Sequence, residues 1–171
     1  MAVTSLLGAV LAHAIGPQPE LAVWLLITPP AIALAAIDLA VHRLPDAVTL
    51  PLAVTTAALL GITALLPTAQ GSWTRALLGA VAFAGGYFAL FLISPNGIGF
   101  GDVKLALTIG LVLGWHGWDA VLAGAFAGQL LAVLHGLVLA AAHKTGRKTQ
   151  IPFGPGMLGG AYTTVLLAGI S

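Results

Sequence analysis

The chain contains no cysteine. That excludes a disulfide framework, a thiolate metal site and a cysteine nucleophile. Charge is scarce too. Lys, Arg, Asp and Glu together make up 6% of the residues, where a soluble domain has about 25%. The formal net charge of +1 is too small for a nucleic-acid-binding surface. There is no internal repeat, no heptad array and no low-complexity linker. What fills the chain instead is apolar: 59% of residues are hydrophobic and the mean hydropathy is +1.05. This is the composition of an integral membrane protein, and 171 residues are too few for two ordinary domains, so residues 1–171 read as one.

Apolar runs long enough to approach a bilayer's thickness lie at roughly 2–15, 21–41, 47–66, 75–93, 102–115, 119–142 and 153–170. They predict an all-α, polytopic transmembrane helical bundle of six or seven spans. The first run is the shortest candidate. Ala12-His13-Ala14 resembles a signal-peptidase site, yet no Lys or Arg precedes it, so it reads as a retained span. Pro29-Pro30 should kink the second span and so aid packing. Trp115 and Trp118 suit an interfacial aromatic belt.

If the spans alternate in direction, Arg43, Lys104, Lys144, Arg147 and Lys148 share one side and Arg75 takes the other. The excess of basic residues marks the first side as cytoplasmic. Asp38, Asp46, Asp102 and the stretch from Pro152 to Pro155 fall on that same side. The run at 144–148 then needs no role beyond setting topology.

An acid in an apolar segment is expensive unless it is paired, protonated or facing water, so it is a functional candidate. Two such acids stand out. Asp38 ends the run Ala31-Ile32-Ala33-Leu34-Ala35-Ala36-Ile37, and Asp102 lies in Gly97-Ile98-Gly99-Phe100-Gly101-Asp102-Val103-Lys104. Two carboxylates brought close together cannot both ionise freely, so the pair holds one proton. One ionised group to activate water and one protonated group to donate to a carbonyl is the equipment for peptide hydrolysis. Gly99 and Gly101 should supply φ > 0 and let another chain approach closely, a need not expected at Gly79. Lys104 should reach for the interface rather than neutralise Asp102.

Other chemistries have weaker support. Asp102 alone could be a helix cap. His13, His42, His116, His135 and His143 show no paired metal spacing and read as loop or packing residues, so no metal or cofactor is expected. No serine has a Gly-x-Ser-x-Gly setting. Two other classes remain. The acids could bind a proton or cation in a small transporter subunit, although an internal repeat would be expected there. They could also merely cap helices in a non-catalytic assembly subunit.

Ile37-Asp38-Leu39-Ala40-Val41-His42-Arg43-Leu44-Pro45-Asp46, Gly99-Phe100-Gly101-Asp102-Val103-Lys104-Leu105 and Ile151-Pro152-Phe153-Gly154-Pro155 occur in the order found in the type IV prepilin peptidases. The chain resembles that family, the GxGD intramembrane aspartyl proteases, over essentially its whole length. The resemblance implies a cytoplasmic-membrane endopeptidase that removes the basic leader of prepilins or pilin-like precursors, typically after a glycine, at the cytoplasmic face. It implies Asp38 and Asp102 as the catalytic pair. Gly99, Gly101, Lys104, Pro45, Asp46, Pro152, Gly154 and Pro155 would be supporting positions. Asp46, with no evident partner in the sequence, would help hold the basic leader. Long members carry a cysteine-containing cytosolic insertion associated with N-methylation. Without cysteine or room for it, a peptidase-only form is expected here. Gly156-Met157-Leu158 also departs from the family's usual Phe-Leu-Ala.

Overall fold

The computed structural model describes residues 2–41, 44–95, 97–141 and 153–170. Among them are seven helices and no strand: α1 (Ala2–Ile15), α2 (Pro19–Val41), α3 (Asp46–Thr63), α4 (Trp73–Ile93), α5 (Phe100–His116), α6 (Trp118–Ala141) and α7 (Gly154–Ile170). Each predicted span is a helix, with ends displaced by three residues or fewer. Four of them, α2, α3, α4 and α6, are long and apolar enough to cross a membrane. The protein is a polytopic helical bundle.

The shortness of α5 has a physical reason. At 1.5 Å per residue it spans roughly 25 Å, less than a bilayer's apolar core of about 30 Å. It need not match the lipid, because the protein surrounds it. Leu105, Ala106, Ile109, Leu113 and Trp115 are all buried, and α3, α4, α6 and α7 pack on it. A helix that is apolar on every side belongs in such a position.

Lipid tails are as apolar as leucine, so helices associate in a membrane by close packing, and small residues permit it. Gly110 and Gly114 of α5 lie against Gly79 of α4. A Cβ added to Gly79 would fall 2.6 Å from the Gly110 carbonyl oxygen and 2.8 Å from Gly114 Cα. The same device joins α6 to α7: a Cβ on Gly160 would meet the Gly124 carbonyl oxygen at 2.8 Å and Gly128 Cα at 2.7 Å. Gly79 was not expected to need glycine, and its requirement is steric rather than conformational.

Several buried threonines are satisfied within their own helices. Thr28 Oγ1 donates to the Trp24 carbonyl at 2.6 Å and Thr56 Oγ1 to that of Leu52 at 2.7 Å. Such back-bonding spares a buried hydroxyl its desolvation penalty. It also occurs just before Pro29-Pro30, through which α2 remains helical. Trp115 is fully buried and not in an interfacial belt, whereas Trp118 is half-exposed. Trp115 Nε1 donates to Glu20 Oε1 at 3.3 Å, which draws the ring inward.

α4 and α5 run antiparallel, so Arg75 and Lys104, each near the start of its helix, stand at opposite ends of the bundle, as the charge pattern required. Arg43, Lys144, Arg147 and Lys148 lie outside the described residues.

Gly79→Val should therefore destabilise the bundle by about 1–3 kcal/mol or more, the usual range for overpacking. Gly85→Ala should be nearly neutral, since a Cβ there meets nothing within 4 Å. Thermal unfolding in detergent measures both.

Candidate active site

Asp38 lies near the C-terminal end of α2 and Asp102 in the first turn of α5, 4% and 6% exposed respectively. They come from separate helices to one end of the bundle, close enough for each charge to act on the other. Both are held in the same way. Asp38 Oδ2 accepts the backbone N–H of Gly154 at 2.9 Å, and Gly154 is the first residue of α7. Asp102 Oδ2 accepts the backbone N–H of Gly99 at 3.0 Å, and Gly99 precedes α5. Each carboxylate thus meets the positive end of a helix, where unpaired N–H groups and the helix dipole favour negative charge. Asp102 caps its own helix, and this occupies only one of its oxygens. Its Oδ1 is buried with no hydrogen-bond partner among the described residues. Such an oxygen can accept from a water when ionised, or donate to a carbonyl when it carries a proton.

The glycines act here through space. Gly99 has φ −78° and Gly101 is helical, so neither uses φ > 0, contrary to expectation. Gly101 is required because Leu44 lies on it: a Cβ would fall 2.8 Å from Leu44 Cβ. Gly154 is tighter still for chemistry, since a Cβ there would fall 2.7 Å from Asp38 Oδ2. Pro155 follows in the first turn of α7, where a missing N–H is harmless. Pro152 lies outside the described residues, as do His42, Arg43 and the segment 142–151.

Leu44, Pro45 and Asp46 strap the start of α5. Pro45 is the N-cap of α3, and its carbonyl accepts the N–H groups of Val48 and Thr49 at 3.0 and 3.1 Å. Asp46, which has no evident partner in the sequence, has one in the fold: Lys104 Nζ lies 2.6 Å from Asp46 Oδ1. The same ammonium stands 4.8 Å from the centre of the Phe100 ring. Lys104 thus serves Asp46 rather than Asp102. The pair is exposed on the Asp46 side, and such pairs contribute up to about 1 kcal/mol.

Three features were not found in the sequence. Glu20 is a third buried acid, at the other end of α2, accepting the Gln70 N–H at 3.0 Å as well as Trp115 Nε1. Beside it His116 stacks on Trp24 with ring centres 5.6 Å apart, a packing role in line with expectation. Tyr87 of α4 is buried near enough to Asp102 to feel its charge, and its hydroxyl lies 3.5 Å from Gln129 Oε1. Only the position of Glu20, between a Pro-rich turn and an apolar run, hinted at any of these.

The fold and the site together define a helical membrane protein with two buried carboxylates at one end, each seated on a helix start. The profile of the type IV leader peptidase family matches residues 22–144, which takes in both acids. The chain belongs to that family. It is 33% identical over 143 residues to a prepilin leader peptidase/N-methyltransferase of Burkholderia pseudomallei (strain 1026b), covering 78% of this chain and 42% of that protein. A protein of the same name from Aeromonas salmonicida (strain A449) is 33% identical over 163 residues, covering 89% and 51%. One from Pseudomonas putida is 30% identical over 173 residues, covering 95% and 55%. The chain spans about half the length of these curated relatives. No solved structure matches it.

Gly154→Ala should keep the helical content but push the Asp38 carboxylate off its N–H. Any activity that requires the Asp38 carboxylate in its present place should fall about 100-fold, the usual consequence of misplacing a group by about 1 Å. Circular dichroism and a cleavage assay on the same preparation check the two halves.

Proposed function

We propose that the chain is an aspartyl endopeptidase of the cytoplasmic membrane that cleaves the leader from prepilins or pilin-like precursors at the cytoplasmic face. The observation that carries this reading is the convergence of Asp38 and Asp102, each buried and each on the N–H of a helix start. Membership of the leader peptidase family supports the substrate class. The reaction assigned to this chain is the peptidase half of the two named for its relatives.

In this mechanism the pair shares one proton. The ionised carboxylate takes a proton from water as the water attacks the scissile carbonyl. The protonated one donates to the carbonyl oxygen, then the roles reverse as the amine leaves. The Oδ1 of Asp102, unbonded among the described residues, is a suitable point for that exchange. The two N–H groups fix the orientation of both carboxylates before substrate arrives, which lowers the reorganisation needed during the reaction. The supporting positions act at one remove. Gly154 seats Asp38, while Gly101 and the Lys104–Asp46 pair hold the Leu44–Asp46 strap on α5. A basic leader would meet Asp46 from its exposed side, in competition with Lys104.

Asp38→Asn and Asp102→Asn should each abolish cleavage of a purified prepilin while the protein stays folded. The double variant should be no worse than either single one, because groups that act as a unit are strongly non-additive. A folded Asp102→Asn protein that still cleaves at a near-native rate would exclude the mechanism.

For topology, single cysteines in this cysteine-free chain serve as reporters. Thr68→Cys, in an exposed turn between α3 and α4, and Thr145→Cys should be labelled from opposite sides of the membrane, with Thr145→Cys cytoplasmic. Labelling from one side would contradict the assigned orientation.

A further inference from the structure

α4 and α6 meet only lightly, and a cleft of about 440 Å³ opens along their seam. The small residues Ala82 and Gly86 on α4 and Ala125 on α6 line it, together with the buried Phe83 and Val121 and the exposed Leu122. A Cβ built on Gly86 meets nothing within 4 Å, so the space beside it is unfilled by protein. One end of the cleft is polar. Tyr87 is held there by stacking on Phe83, with ring centres 5.4 Å apart, and by its contact with Gln129.

That polar end distinguishes the possible occupants. A glutamine amide and a phenol inside a bilayer are costly unless something bonds them. Gln129 brings two amide N–H donors in addition to the oxygen that faces Tyr87. An acyl chain has no acceptor for them, whereas a peptide has a carbonyl at every residue. Tyr87 stands two turns beyond Gly79 along the antiparallel α4–α5 seam, toward the start of α5 where Asp102 lies, so a chain lying in the cleft is led toward the catalytic pair.

We infer that the α4–α6 cleft seats an apolar helix of the precursor, entering sideways from the bilayer, and that Tyr87 and Gln129 receive its backbone where it turns toward Asp102. This rests on the peptidase reading above. Small residues lining the cleft let a helix approach closely, as they do between α4 and α5. The polar pair at the end offers partners to the carbonyls released when that helix unwinds for cleavage. Tyr87 and Gln129 are positioning residues in this account.

The test uses the full chain in proteoliposomes and two substrates. One is a precursor with an apolar helix after its cleavage site. The other is a soluble peptide covering the leader and the scissile junction alone. Gly86→Leu and Ala125→Leu fill the cleft, and the open space at Gly86 lets the first fold. Each should lower the ratio of kcat/KM for the precursor to that for the peptide roughly tenfold, through KM. An unchanged ratio would overturn the inference and leave the cleft to lipid. So would a fall accompanied by conversion of a dimer to a monomer, which would give the cleft to a second copy of the chain. As a second measurement, Ala125→Cys should cross-link to a cysteine in the precursor's apolar helix, and Val54→Cys, on the exposed face of α3, should not. Equal cross-linking at both positions would also overturn it. Wild-type protein that cleaves neither substrate would instead defeat the peptidase reading, and this inference with it.

Discussion

A carboxylate removed from water must be given hydrogen bonds or it will not remain charged. This chain buries two of them in one end of a helical membrane bundle, and the local architecture follows from that constraint. α7 begins where its first N–H reaches Asp38, and α5 begins where the N–H of Gly99 reaches Asp102. The donors come from backbone, so they cannot be titrated or lost by a side-chain rotation. Glycine at 154 is the corollary, because any Cβ would occupy the place of the carboxylate it serves.

Positioning two helix starts to within hydrogen-bond distance requires helices that do not slide. The glycine seams provide that. α4 locks to α5 around Gly79, Gly110 and Gly114, and α6 locks to α7 around Gly124, Gly128 and Gly160. Thus one rigid pair carries Asp102 and the other carries the N–H that holds Asp38. The Leu44–Asp46 strap, with Leu44 on Gly101 and Asp46 on Lys104, ties the first turn of α5 to the connection leaving α2. Lightly packed α4–α6 contacts leave the remaining side of the bundle open to the bilayer.

Much of this was legible in the sequence because membrane proteins write their spans plainly. Twenty apolar residues between polar turns leave few alternatives, and all seven runs became helices. The two acids were conspicuous against so little charge. Side chains chosen by tertiary packing were less readable. Gly154 meets Asp38 across 116 residues of sequence, and nothing local announces that contact. Trp115 looked interfacial from its position at a helix end, but the buried Glu20 turned it inward. Gly101 looked like a turn glycine, and its true constraint is Leu44 pressing on a helix. The GxxxG spacings Gly110–Gly114, Gly124–Gly128 and Gly156–Gly160 were a signal present in the sequence and left unused.

The proposed mechanism requires Asp38 and Asp102 to form one titrating unit. Infrared titration of protein carrying isotope-labelled aspartate follows the protonated carboxyl band directly. The buried signal of the wild type should titrate in two separated steps belonging to the pair. Asp38→Asn and Asp102→Asn should each reduce it to a single step at an altered pH. Two acids that titrate independently, each unmoved by removal of the other, would contradict it.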